Sequence, residues 1–346
     1  MRRAMQATIR RGAVLTALGL AIAGCGNKKA PSGPPPVLTG LAVVPASAVA
    51  VVGLDLAKLD DSPVIDRAAE QLLARDPVLA DRWQRLRDEC KIDLGKQIKR
   101  VMLALGPPRS KPSPGTGPVL MVAVGALPEA DLRDCVTKLV GTGGGALTGT
   151  AVDGRTVYLA KDGNRTMYFA YSRPDTIVLC SDEAYLTEAL GAGKKATDDA
   201  DLTAWRQLVN QDSPAWAVGR TDPRIRDGLV QLTQGKVSGG PLAFAFSLDL
   251  FEGVKLQLTA VMANPEQAKG LESYAKGELA LLIAAAQLKS LGALVGKLAV
   301  AAEDNRVQFR AALSTADVNQ LLSALDGETP PTQDRAPAPS PGSGAK

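Results

Sequence analysis

Ser47-Ala48-Val49-Ala50-Val51-Val52-Gly53 returns in altered form as Ser213-Pro214-Ala215-Trp216-Ala217-Val218-Gly219, with Asp55 and Asp222 just beyond. Each is a short apolar run closed by glycine, the pattern of a buried strand. Working outward from either copy, the same order of elements follows. A helix comes first, then two strands, then a helix opened by Pro128-Glu129 or Pro265-Glu266. More strands joined by short polar turns come next, and a capped helix closes each stretch, Ser181 to Leu190 and Ser314 to Leu325. A recurring order of elements is the signature of an internal repeat. Strands joined by tight turns make antiparallel sheets. The expected fold is therefore α+β, in two similar halves over 38–200 and 201–327, each an antiparallel sheet with helices packed on one face.

The individual elements carry their own signals. Asp61-Ser62-Pro63 sets an N-cap and a proline at the first helical position ahead of Val64, Ile65, Ala68 and Leu72. Leu79, Trp83, Leu86 and Cys90 fall at helical spacing, as do Leu132, Cys135, Val136 and Leu139. Strands are predicted at Ile98–Leu105, Pro118–Leu127, Leu242–Leu250, Val254–Met262, 298–303 and 306–313. Asp153-Gly154 between two runs of alternating residues is a hairpin signal, and Asp304-Asn305 is the corresponding turn near the C-terminus. The apolar stretch Leu279 to Val300 is broken by Lys289, Lys297 and two glycines, so it reads as a helix end plus a strand and not as a membrane span.

The ends are different in kind. Residues 1–24 hold Arg2, Arg3, Arg10 and Arg11 and no acid, followed by an eleven-residue apolar segment, Ala13 to Ala23. That is an export signal, too short to cross a hydrocarbon core. Leu20-Ala21-Ile22-Ala23-Gly24-Cys25 resembles the lipobox of bacterial lipoproteins. The resemblance implies cleavage between Gly24 and Cys25 and acyl chains on Cys25, a membrane attachment that is effectively permanent. Arg10-Arg11 resembles a twin-arginine signal less well, because no Phe-Leu follows. Gly26, where retained lipoproteins carry Asp, points to the outer membrane facing the periplasm, with surface exposure as the alternative. Residues 25–37 form a lipidated Pro/Gly-rich tether, and 328–346 a disordered Pro-rich tail. The stretch Pro45 to Leu59 loosely resembles the opening of uncharacterised bacterial envelope proteins.

Composition narrows the chemistry. Among 346 residues there is no His, which removes Ser-His-Asp and Cys-His triads, HExxH zinc sites and His-ligated haem. Of 40 basic residues four lie in the signal, so the remaining 36 match the 36 acids. A neutral mature chain gives no phosphate-tracking surface, and nucleic acid is not an expected partner. Gly141-Thr142-Gly143-Gly144-Gly145 follows a helix and fails the context of a phosphate loop, and Gly191 to Thr197 lacks the first glycine and the Ser/Thr of a Walker loop. Ser273-Tyr274-Ala275-Lys276 matches S-x-x-K without its companion motifs. Asp60-Asp61 and Asp198-Asp199-Asp201 stand before helices, where acids cap amide groups; an EF-hand glycine and spacing are missing. Trp83, Trp205 and Trp216 fall in patterned segments and read as core. No catalytic, cofactor-binding or metal-ligating residue is assigned, and no cofactor is expected.

With Cys25 acylated, Cys90, Cys135 and Cys180 remain, an odd number in an oxidising compartment. The preferred arrangement bridges Cys90 to Cys135 and leaves Cys180 as a buried thiol; three buried thiols are the alternative. The functional expectation is a non-enzymatic, lipid-anchored envelope protein that binds or scaffolds another envelope component. Its alternative is a ligand or lipid carrier, or an enzyme with a site of carboxylates, Lys or Ser.

Overall fold

The computed structural model describes residues 38–326 apart from 61, 63–64, 66–69, 72, 109–116, 164, 252 and 288–291. The signal 1–24 with Gly24, the acylation site Cys25, the tether, the tail and most of the helix expected at 64–72 lie outside the described residues. The first half contains β1 (Ala50–Asp55), α1 (Leu56–Leu59), α2 (Pro77–Asp88), α3 (Leu94–Gln97), β2 (Ile98–Leu105) and β3 (Val119–Gly125). It continues with α4 (Glu129–Thr142), β4 (Ala146–Val152), β5 (Arg155–Asp162), β6 (Arg165–Arg173), β7 (Thr176–Cys180), α5 (Glu183–Leu190) and α6 (Ala200–Arg206). The remainder holds β8 (Ala215–Arg220), α7 (Pro223–Leu232), β9 (Ala243–Asp249), β10 (Val254–Val261), α8 (Pro265–Gln287), α9 (Gly292–Val295), β11 (Leu298–Glu303), β12 (Arg306–Leu313) and α10 (Thr315–Asp326).

All of these strands belong to one antiparallel sheet of twelve, in the order β11-β12-β10-β9-β8-β1-β2-β3-β7-β6-β5-β4. The expectation of one sheet per half is corrected here. The two strands that open the halves pair with each other, Ala50 opposite Gly219 and Gly53 opposite Trp216, so two would-be edges are satisfied by one another. From that junction the order runs β1-β2-β3-β7 to one side and β8-β9-β10-β12 to the other, and β6-β5-β4 extends the first side further than β11 extends the second.

Local chemistry explains the turns and starts. Asp153 and Gly154 both adopt positive φ, 48° and 76°, as a two-residue hairpin between β4 and β5 requires. Asp182 accepts from the Tyr185 amide at 2.8 Å to cap α5, and Asp222 caps α7 with Pro223 at its first position.

Strand alternation sorts the core onto two faces. Val51, Leu120, Val122, Val178, Val218 and Ala245 pack on one side with Tyr185, Leu186 and Leu202 from the short helices α5 and α6. On the other side Ala123 and Ile177 meet Cys135 of α4 and Leu86 of α2. Ala260 and Val307 point to that same side, because cross-strand partners share a face, and there they meet Ala268 and Leu271 of α8. Helices α2, α4 and α8 thus share one face. Trp216 is buried and Trp205 partly so, but Trp83 is 38% exposed on α2 and is not core.

Candidate functional site

Two of the cysteines lie beneath the layer of α2, α4 and α8. Cys90 just past α2 and Cys135 on α4 are joined by a disulfide with 5.0 Å between their Cα atoms. Ile92, Ile98 and Ile177 pack around the pair, so the crosslink fixes the α2 end to α4 over the sheet. Cys180, at the end of β7, is buried on the opposite face and outside this disulfide.

The acidic run Asp198-Asp199-Asp201 is tied up in structure. Asp199 caps α6 by accepting from the Leu202 amide at 2.8 Å, and Arg220 donates to both its carboxylate oxygens at 2.9 and 2.8 Å. Burial pushes the Asp199 carboxyl up, but these hydrogen bonds and the Arg220 charge outweigh it and hold it below its ordinary value. Arg220 also donates to the Ala48 carbonyl and lies 5.3 Å over the Trp205 ring. One guanidinium therefore clamps α6 to the β1–β8 junction.

Lys195, in the loop that echoes a Walker sequence, points inward. It is 6% exposed and donates to the carbonyls of Glu188 and Ala189 at 2.9 and 2.7 Å, while Arg155 donates to Leu190 O at 3.0 Å. Two cations thus cover the C-terminal carbonyls of α5. Burial pushes the Lys195 ammonium pKa down. Lys276 of the S-x-x-K match is paired with Glu272 at 2.7 Å, one turn earlier in α8. Among the described residues no group of three acids or cysteines is placed to hold a metal.

Two open features remain. An open cleft of about 630 Å³ beside the N-terminus of α5 is lined by Thr166, Tyr168, Ser181, Asp182, Glu183 and Thr187, and its walls are mostly polar. The second is the C-terminal part of α8. Its first turns are held against the sheet by Ala268 and Leu271, both buried. Beyond Glu278 the residues are Leu279-Ala280-Leu281-Leu282-Ile283-Ala284-Ala285-Ala286, with no polar side chain. Leu281 is 68% and Leu282 52% exposed, and Ala280, Ala284 and Ala285 are exposed too. At about 100° per residue those five positions sweep roughly 200° of the helix circumference. The apolar composition was visible in the sequence; that no described element covers these five positions was not. No helix among the described residues is long and apolar enough to cross a membrane.

No family model matches the chain, and no curated protein matches it. Two solved structures resemble it: crystal form III of TP0453, at a TM-score of 0.44, and crystal form I of TP0453, at 0.42. Each is 12% identical in sequence, and the match covers 83% of this chain and 98% of the other.

Proposed function

We propose that the chain is a lipid-anchored, non-catalytic binding protein of the bacterial envelope, held at the outer membrane through acylated Cys25 and facing the periplasm. Its ligand is apolar, a lipid or lipid-like molecule, so that carriage is favoured over scaffolding. The observation that carries this reading is the 200° apolar arc on α8. A helix that docks in a protein groove needs one apolar stripe, roughly 100° wide. An arc twice that width calls for apolar surroundings on most sides, which acyl chains supply. The absence of histidine removes the usual general base, and the carboxylate run and Lys195 are committed to capping and ion pairing.

The strand order supports reading 38–200 and 201–327 as copies of one module, the first enlarged by a hairpin. The Cys90–Cys135 bridge suits an oxidising compartment.

One observation favours a second reading, an envelope scaffold. Strand β4, Ala-Leu-Thr-Gly-Thr-Ala-Val, ends the sheet with no charge and almost every residue exposed. An unprotected edge of that kind is a template for an added strand from a partner. Native mass spectrometry of the full acylated protein, released gently from membranes, separates the two. A phospholipid bound in simple stoichiometry, and lost in a Leu281→Glu, Leu282→Glu variant, supports carriage. A lipid-free protein that travels with one envelope protein, and releases it when Thr148 on β4 is replaced by Pro, overturns it.

A further inference from the structure

We infer that one end of the sheet is the face this protein lays on the membrane, with the apolar end of α8 and Phe251 entering the acyl-chain boundary of a lipid leaflet. The inference rests on the acylation of Cys25 and names the surface from which the apolar ligand is taken up.

The pairing registers trace that end across the molecule. Asp55 closes β1 opposite Arg100, Ile98 opens β2 opposite Gly125, and Val124 lies opposite Thr176. To the other side Leu54 pairs with Ala215, Ala215 with Leu248, Val254 with Leu313, and Leu298 with Ala311. All these residues lie at one end, because neighbouring antiparallel strands reverse there.

Three features converge on it. The described chain begins here: Ser172 donates to Leu38 O at 2.7 Å, and the Thr39 and Thr176 hydroxyls are 3.1 Å apart. The segment from Cys25 therefore joins the fold at this end. The turn between β9 and β10 is also here, and it holds Phe251 72% exposed. Helix α8 starts at the opposite end, after Val261 opposite Arg306, and lies along β11 and β12. Its 23 residues make about 34 Å, against about 26 Å for the eight residues of β10, so the helix outruns the sheet as it returns toward the Leu298 end.

Lengths permit simultaneous contact. The tether, residues 25–37, reaches about 40 Å when extended as polyproline helix. From β6, whose Ser172 holds Leu38, to β12 beneath α8 is eight strand spacings, about 38 Å. The acyl group and the α8 end can therefore occupy one leaflet together. The mature chain has as many acids as bases, so this contact is driven by apolar burial and not by anionic headgroups.

The test uses the full acylated protein in phosphatidylcholine vesicles that carry a photoactivatable acyl chain, with crosslinks mapped by mass spectrometry. Crosslinks at 279–286 and at Phe251 are expected, in equal yield when a third of the lipid is phosphatidylglycerol. Leu281→Glu with Leu282→Glu lowers the yield at 279–286 by about tenfold or more. It leaves thermal unfolding unchanged, because both side chains already stand in solvent. Crosslinks confined to the tether, or equally frequent at Val119 and Leu242 of the opposite end, overturn the inference. A phospholipid held in solution without crosslinks at 279–286 also overturns it, yet leaves carriage standing. An intact mass without an acyl group overturns the anchor on which it rests.

Discussion

Gly53 on β1 lies opposite Trp216 on β8, so close that a β-carbon on the glycine would stand 2.3 Å from Cε2 of the indole. Three residues away the relationship is repeated in reverse. Gly219 lies opposite Ala50, and a β-carbon there would meet the Ala50 methyl at 2.8 Å and Phe244 at 2.9 Å. Each strand gives its closing glycine as the seat for a side chain on the other. Gly53→Ala should lower stability by about 1–3 kcal/mol through overpacking. Adding Trp216→Ala should cost less in that background than in the native one, by about 0.5 kcal/mol or more. Urea unfolding of the four proteins in the cycle measures this, and strict additivity would mean that the ring is not what the glycine accommodates.

Removal of the Cys90–Cys135 bridge frees a loop with a sequence separation of 45 residues. Cys90→Ala with Cys135→Ala is expected to lower unfolding free energy by about 2–4 kcal/mol. The same loss should appear on adding reductant to the native protein and should be absent when reductant is added to the variant.

Stability should fall on acidification. Asp199 titrates below its ordinary value of 3.8 in the folded protein, and Asp222 beside Arg224 and Asp317 beside Lys297 are held at about 2. The unfolded chain thus takes up these protons first. The stabilisation is complete above about pH 4 and is lost as pH drops toward 2. The Arg224 and Lys297 partners of Asp222 and Asp317 are about two-fifths exposed, so solvent screens those two contributions in part, and Asp199 adds its own. Asp199→Asn should flatten the slope of stability against pH in that window, read from urea midpoints at stepped pH. An unchanged slope would remove Asp199 from the account.

Lys195→Met replaces a buried ammonium by an apolar chain of similar length and leaves the Glu188 and Ala189 carbonyls without their donor. A loss of about 1–3 kcal/mol is expected. Hydrogen exchange in α5 should quicken, while the amides of α4 stay as slow as before.

Much of this architecture was legible in the chain. β2, β11 and β12 begin and end where the alternation and turns place them, and Pro128, Pro223 and Pro265 mark helix starts because proline fixes φ and gives up an amide that needs no partner there. Likeness between the two opening strands was legible too, but not that they pair. Ala50 to Asp55 reads as a buried strand whatever lies beside it, so pattern alone cannot choose between two sheets and one. Of the candidate site the same holds: residues 279–286 are plainly apolar, yet exposure is a property of what fails to fold over them. Lys195 and Asp199 show the converse, residue types that suggest chemistry and are taken up by helix ends.

The β1–β8 pairing also sets an order of events. As the chain is made, β1 can pair with β2 as soon as both are present, but its other edge must wait for β8, which comes after all the rest of the first half. Until then the Ala50–Asp55 strand offers an apolar ribbon of unpaired amides to any passing strand. Closing so long a loop is entropically slow, and the first half cannot finish by itself. A break in synthesis between Arg206 and Ala215 would therefore yield a sticky half-sheet and not a smaller folded protein.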